Sequence, residues 1–118
     1  MGMSSEDVEH DDAKDAKDVE ARFHEAVNMT PKELEDWLGT EESQSVGVGE
    51  GESVGHRSGR RIVEILREKK ADRSEDDHEH MRKVAGYVSR HLAQRPDGDV
   101  TGTRWRYSLM NWGHDPLK

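Results

Sequence analysis

The 118-residue sequence contains no cysteine, which excludes a disulfide framework, a thiolate metal site and thiol chemistry. Large apolar side chains are scarce. Leu, Ile, Val and Phe make up about 16% of the chain, below the roughly one-fifth level at which disorder begins to compete with folding. No apolar run approaches the ~20 residues that span a bilayer, and the first residues lack the apolar stretch of a secretory signal. These absences lead to the expectation of a soluble, cytoplasmic protein with at most one small domain and no membrane partner.

Charge is abundant and unevenly placed. The formal net charge of −8 conceals two opposite halves: residues 1–54 carry 16 acidic and 4 basic side chains, whereas residues 55–118 carry 10 acidic and 14 basic ones and five of the seven histidines. A charged tail joined to an anion-binding body has this asymmetry. A solvated leader on an ordinary helical surface, or an acid-rich surface suited to a salty cytoplasm, has it too. Residues 1–17 hold too few large apolar groups to offset the entropy of ordering. The expectation is a disordered acidic leader over 1–18 and a single domain over 19–118.

Helical periodicity organises that domain. Val19, Phe23, Ala26 and Val27 fall at i, i+4, i+7 and i+8 of an amphipathic helix. Thr30-Pro31-Lys32-Glu33 combines an N-cap, a proline at the first helical position and the glutamate of a capping box. Leu34, Trp37 and Leu38 form the inner face of that helix, and Gly39 ends it. Ile62, Ile65, Leu66 and Lys69 predict a helix that starts near Ser58. Ser74 caps a longer one whose first turn, Glu75-Asp76-Asp77, suits the positive end of a helix dipole. Its stripe is Met81, Val84, Ala85, Val88 and Leu92, and Pro96 with Gly98 breaks it. Trp105, Leu109 and Trp112 line a last helix that Gly113 and Pro116 stop. No segment alternates like a strand. The fold class expected is all-α, a small bundle of four to five helices.

Residues 39–55 contain five glycines and two copies of Ser-Val-Gly. Phosphate-cradling loops need glycine for close backbone approach, but the Walker pattern also ends in Gly-Lys-Ser/Thr, and no lysine occurs between 33 and 68. The dinucleotide spacing is absent as well. The segment therefore reads as a flexible Gly-rich connector.

Three sets of side chains suit an anionic partner. Arg57, Arg60 and Arg61 crowd the expected start of a helix, where cations oppose the macrodipole unless an anion joins them. Guanidinium groups grip phosphate bidentately. The competing account pairs them with Glu64 and Glu68, as in the i, i+4 pair Arg60–Glu64. On the long helix Lys83, Tyr87, Arg90 and Gln94 form a row opposite the apolar stripe, with Gly86 beside it. That row suits a phosphate backbone, or is a solvated face with Tyr87 tucked against a neighbouring helix. Arg104 and Arg106 flank Trp105 and Tyr107, a pattern of stacking platforms, although so small a core needs its tryptophans inside.

Metal and catalytic signals are weak. His78 and His80 point to different sides of a helix, His-Glu-x-x-His is absent, and no serine lies in a nucleophile elbow. No cofactor and no enzymatic activity are expected. The turn at 71–74 is loosely placed like that of a helix-turn-helix, but it lacks glycine and both flanking helices spend their stripes on the core.

Residues 29–38 (MTPKELEDWL), 51–70 (GESVGHRSGRRIVEILREKK) and two stretches within 81–118 (MRKVAGYVSRHLAQRP and TRWRYSLMNWGHDPLK) together resemble a family of short, functionally uncharacterised prokaryotic proteins, some of whose members are labelled DNA-binding. The resemblance covers roughly residues 20–118. Beside the basic half, it favours a small non-enzymatic DNA-binding protein that contacts backbone phosphate through Arg57, Arg60, Arg61, Lys83, Tyr87, Arg90, Arg104 and Arg106. The acidic leader would then compete for the basic face. The alternative is a protein–protein adaptor or regulator, homodimeric through its tryptophan-bearing helices, because small domains with meagre cores often need a partner.

Overall fold

The structure, a computed structural model, describes residues 5–46 and 54–118, with side chains described from residue 16 onward. Among the described residues there are six α-helices and no strand. They are α1 (Ser5–Ala26), α2 (Pro31–Leu38), α3 (Glu41–Ser45), α4 (Val54–Arg67), α5 (Glu75–Leu92) and α6 (Arg104–Asn111), with a 3-10 turn at Lys70–Asp72. The all-α class holds. None of these helices is long and apolar enough to cross a membrane.

Helical backbone in α1 reaches back to Ser5, through much of the segment that composition sets apart as a leader. Propensity favours a helix here: Ala13 and Ala16 alternate with Lys and Asp at helix-favouring spacings. Residues 1–4 of that leader lie outside the described residues. The packed face of α1 is the expected one, with Val19, Phe23 and Ala26 buried and Val27 just beyond the helix end.

The start of α2 follows from its sequence. Thr30 Oγ1 accepts from the Glu33 N–H at 3.1 Å, and Glu33 Oε1 accepts from the Thr30 N–H at 2.8 Å. Gly39 ends the helix in right-handed geometry, its N–H turning to the Asp36 carbonyl. The short α3 was not foreseen. Thr40 caps it by accepting from the Ser43 N–H, so the first part of the Gly-rich segment is helical. Residues 47–53, which hold the glycine of the first Ser-Val-Gly copy and the serine of the second, lie outside the described residues.

Phe23, Leu34, Ile62, Ile65, Met81, Val84 and Leu109 are fully buried in one core, each contributing about 1.5–3 kcal/mol. α1 packs chiefly on α5 and α2 on α4, while α6 touches α2, α3, α4 and α5 and ties the two pairs together. Two expected members of the stripes fall outside it: Leu92 is exposed at the end of α5, and Lys69 lies beyond α4.

Polar contacts supplement this small core. Asn111, 1% exposed, accepts at Oδ1 from Trp37 Nε1–H (2.7 Å) and from the Ser43 hydroxyl, and donates to the Ser43 carbonyl (3.0 Å). One amide thus joins α2, α3 and α6. Glu20 is buried on α1 and accepts from Arg73 and from His78 Nε2, while Arg73 also donates to the Ile65 carbonyl. Gly113 adopts φ +85°, a left-handed conformation that favours glycine. Its carbonyl accepts from the N–H groups of Asn28 and Met29.

At Gly59 the helices approach too closely for a side chain. A Cβ there would lie 2.6 Å from the Asn111 carbonyl oxygen and 2.7 Å from Leu38 Cδ2. Gly59→Ala is therefore expected to destabilise the fold by roughly 1–3 kcal/mol through overpacking. Gly86→Ala, where the added carbon meets only the far end of Arg90, is expected to stabilise it by about 0.5–1 kcal/mol. Urea denaturation of both variants checks this pair of opposite signs, and a stabilised Gly59→Ala would contradict the packing.

Candidate anion-binding groove

α4 and α5 border a groove of about 450 Å³ that gathers cations distant in sequence. Arg57, Arg60 and Arg61 reach it from α4 and Lys83 from α5; Val54 and Trp112 supply apolar wall, and Glu64 is the single carboxylate in its lining. The helix bearing the arginines starts earlier than expected. It already runs from Val54, so the arginines occupy its second turn, and the argument from a crowded positive helix end does not apply. Their convergence has a different origin: spacing i, i+3, i+4 keeps them on one side of α4, where α5 adds Lys83.

The partner of Arg61 also differs from the expected ones. Arg61 donates to Asp77 Oδ1 at 2.8 Å, across to α5, rather than pairing along its own helix. Glu68 turns to Asp77 as well, and burial together with that neighbouring carboxylate pushes its pKa up. Arg57 and Arg60 each have interactions of their own. Asp77 also completes the capping box of α5 with Ser74. The Ser74 backbone N–H holds its carboxyl down at about 2, aided by Arg61 and opposed by burial.

His80 lines the groove with its Nε2 hydrogen-bonded to the buried Ser58 hydroxyl at 2.9 Å. Burial and the positive charge of Arg61 lower its pKa, so the ring is neutral at pH 7. Trp112 stacks on His80 (centroids 6.2 Å apart) and on Tyr87 (4.2 Å), and Tyr87 stacks in turn on His91 (4.0 Å). Seven residues of helix rise roughly 10.5 Å, so Trp112 fits between His80 and Tyr87, two turns apart on α5.

The remaining candidates are dispersed. Tyr87 is half-buried in this ring ladder, where burial raises its hydroxyl pKa. Arg90 lines a second groove of about 730 Å³ between α1 and α5, where Asp18 and Glu25 stand beside Arg22 and Arg82. Gln94 is exposed beyond the end of α5 and Arg104 is exposed at the start of α6, reaching the Ser45 carbonyl at 3.5 Å. Arg106 faces inward: Nε and Nη2 hold both oxygens of Asp115, and Nη1 donates to the Thr101 carbonyl. Its guanidinium fastens the C-terminal turn.

Sequence reasoning passed over the Ser58–His80 bond, the Arg61–Asp77 pair and the ring ladder. The ladder had a legible signal, because His80, Tyr87 and His91 stand at i, i+7 and i+11, a second stripe beside the apolar one. Among the described residues no three His, Asp or Glu side chains are grouped to hold a metal ion.

A carboxylate whose folded pKa lies below its unfolded value contributes stability that is complete above the unfolded value and is lost as pH falls through the folded one. For Asp77 that window runs from 3.8 down to about 2. Between about pH 5 and pH 2 the urea midpoint is expected to fall more steeply for the native chain than for Asp77→Asn; parallel curves would deny Asp77 this role.

No curated protein and no solved structure matches the chain. A family model described as a protein of unknown function, DUF3140, matches residues 22–110. That match begins within α1 and takes in both helices of the groove and nearly all of α6, and the chain belongs to this family of proteins of unknown function.

Proposed function

We propose that this chain is a small, non-enzymatic DNA-binding protein that holds backbone phosphate in the groove between α4 and α5. The observation that supports the reading is the convergence of Arg57, Arg60, Arg61 and Lys83, from two helices, on one recess with an apolar wall. A cleft lined by one predominant sign of charge focuses its field and raises the local concentration of the opposite ion. Guanidinium groups supply fixed forks for phosphate oxygens, and the lysine adds a point charge. None of these contacts reads a base edge, so little sequence preference is expected. Arg104, exposed on α6, and Arg90, in the second groove, are secondary contacts to the same polyanion. Arg106 and Tyr87 serve by holding the scaffold.

Fluorescence anisotropy of the full chain with a random duplex, across a salt series, tests this. A log–log slope between about −3 and −6 is expected, and Arg57→Ala with Lys83→Ala should flatten it by about 2, at ~0.9 per phosphate contact. An absence of binding at low salt, or a double variant with unchanged slope, would remove the proposal.

A further inference from the structure

We infer that His80 is a further contact of the polyanion and takes up a proton when the groove between α4 and α5 is occupied, an inference that rests on the nucleic-acid reading above. The first ground is position. Of the described histidines only His80 lines this groove. His24 and His78 turn to Glu20 on α1, His56 and His114 bond to the carbonyls of Leu38 and Ala26, and His91 ends the ring ladder. Trp112 stacks on the His80 ring and fixes its plane. Lys83 stands one turn further along the same side of α5, and Arg57, Arg60, Arg61 and Glu64 line the groove from α4.

The second ground is the electrostatics of the ring. Burial disfavours its charged form most, and the charges of Arg61 and Lys83 add to that; the bond to Ser58 and the carboxylate of Asp77 oppose them. A phosphate oxyanion among these side chains reverses the electrostatic part, because an opposite charge within ~4–6 Å favours the protonated form. The third ground is the hydrogen bond. His80 Nε2 lies 2.9 Å from the Ser58 hydroxyl, and a hydroxyl both donates and accepts. Ser58 can therefore donate to the neutral ring and accept from the protonated one, so the ring gains its proton without losing its buried partner. Proton and polyanion then raise each other's affinity by the same factor. Affinity for the polyanion is constant where the ring is neutral in both states. It rises as pH falls through the titration of the complex, and levels off below that of the unliganded chain.

The test uses anisotropy titrations of the full chain with a random duplex at one fixed salt concentration, from about pH 7.5 to about pH 5. Over that range the native chain is expected to gain about five- to tenfold more affinity than His80→Gln, the upper figure corresponding to one unit of change in proton affinity. Glutamine keeps an amide for Ser58 and does not titrate, so the variant subtracts what other groups contribute at low pH; circular dichroism verifies its fold. His24→Gln, exposed on α1 outside the groove, should gain affinity as the native chain does. Calorimetry of the native chain near pH 6, in buffers of different ionisation heat, needs no variant and should show net proton uptake on binding the duplex. Equal pH dependence of the native chain and His80→Gln, a dependence lost in His24→Gln instead, or no proton uptake would overturn the inference while leaving the nucleic-acid reading in place. A chain that binds no duplex at any of these pH values, even at low salt, would overturn both.

Discussion

Trp112 lies between His80 and Tyr87 on α5, and this contact sets how α5 is turned about its own axis. An aromatic ring of this size contributes a large buried area and a preferred stacking geometry, so α5 cannot rotate without losing both. Two consequences follow from that fixed rotation. The stripe Met81–Val84–Val88 enters the core that α5 shares with α1, and Lys83, one turn from His80, comes to the groove that α4 also lines. The left-handed Gly113 directly after Trp112 lets the chain turn back on α1 at the required point. The groove is thus a by-product of how one indole is seated.

A second constraint is the shortage of apolar volume. A chain of this size buries a smaller share of its surface than a larger domain does, and this one supplements its core with polar contacts in its interior. Asn111 joins three helices through one side-chain amide. Glu20 and Arg73 pair inside, with His78 on the second carboxylate oxygen and the Ile65 carbonyl on the arginine. A buried ion pair contributes little net stability against a hydrophobic replacement, but losing one partner leaves an uncompensated charge. Such contacts therefore specify the arrangement of helices more than they stabilise it. Such contacts also use arginines, among them Arg106, which in the sequence looks available for a ligand. Arg73 and Arg106 hold the scaffold, whereas Arg57, Arg60 and Lys83 are exposed at the groove.

The same distinction bears on the electrostatics of the site. Arg61 is shared between Asp77 and the groove, so its position is set before any ligand arrives. Neutral His80, held by Ser58, adds a hydrogen-bonding ring without further like-charge repulsion. Preorganised cations of this kind bind an anion with less loss of side-chain freedom than mobile surface lysines.

Much of the fold was legible in the linear pattern, because its causes are local. The Thr30 capping box, the Ser74 cap, the Val19–Phe23 stripe and the Met81–Val88 stripe each depend on residues within a few positions of one another, and each appears where the sequence places it. The short α3 escaped because the glycines around it dominate the composition, and the start of α4 was misplaced because Gly55 and Gly59 dilute its helical signal. Gly59 is there for a reason beyond local propensity: Asn111 and Leu38 come from distant parts of the chain to lie against it. By itself the sequence determined the helices, most of their inner faces and the basic character of the second half. Tertiary structure decided which arginines line the groove and which brace the fold, and that Lys83 would share a groove with Arg57 while Arg90 would not. The physical reason is that a charged side chain takes its partner from whatever packing brings within a few ångströms, and spacing along one helix carries no record of the helix packed against it.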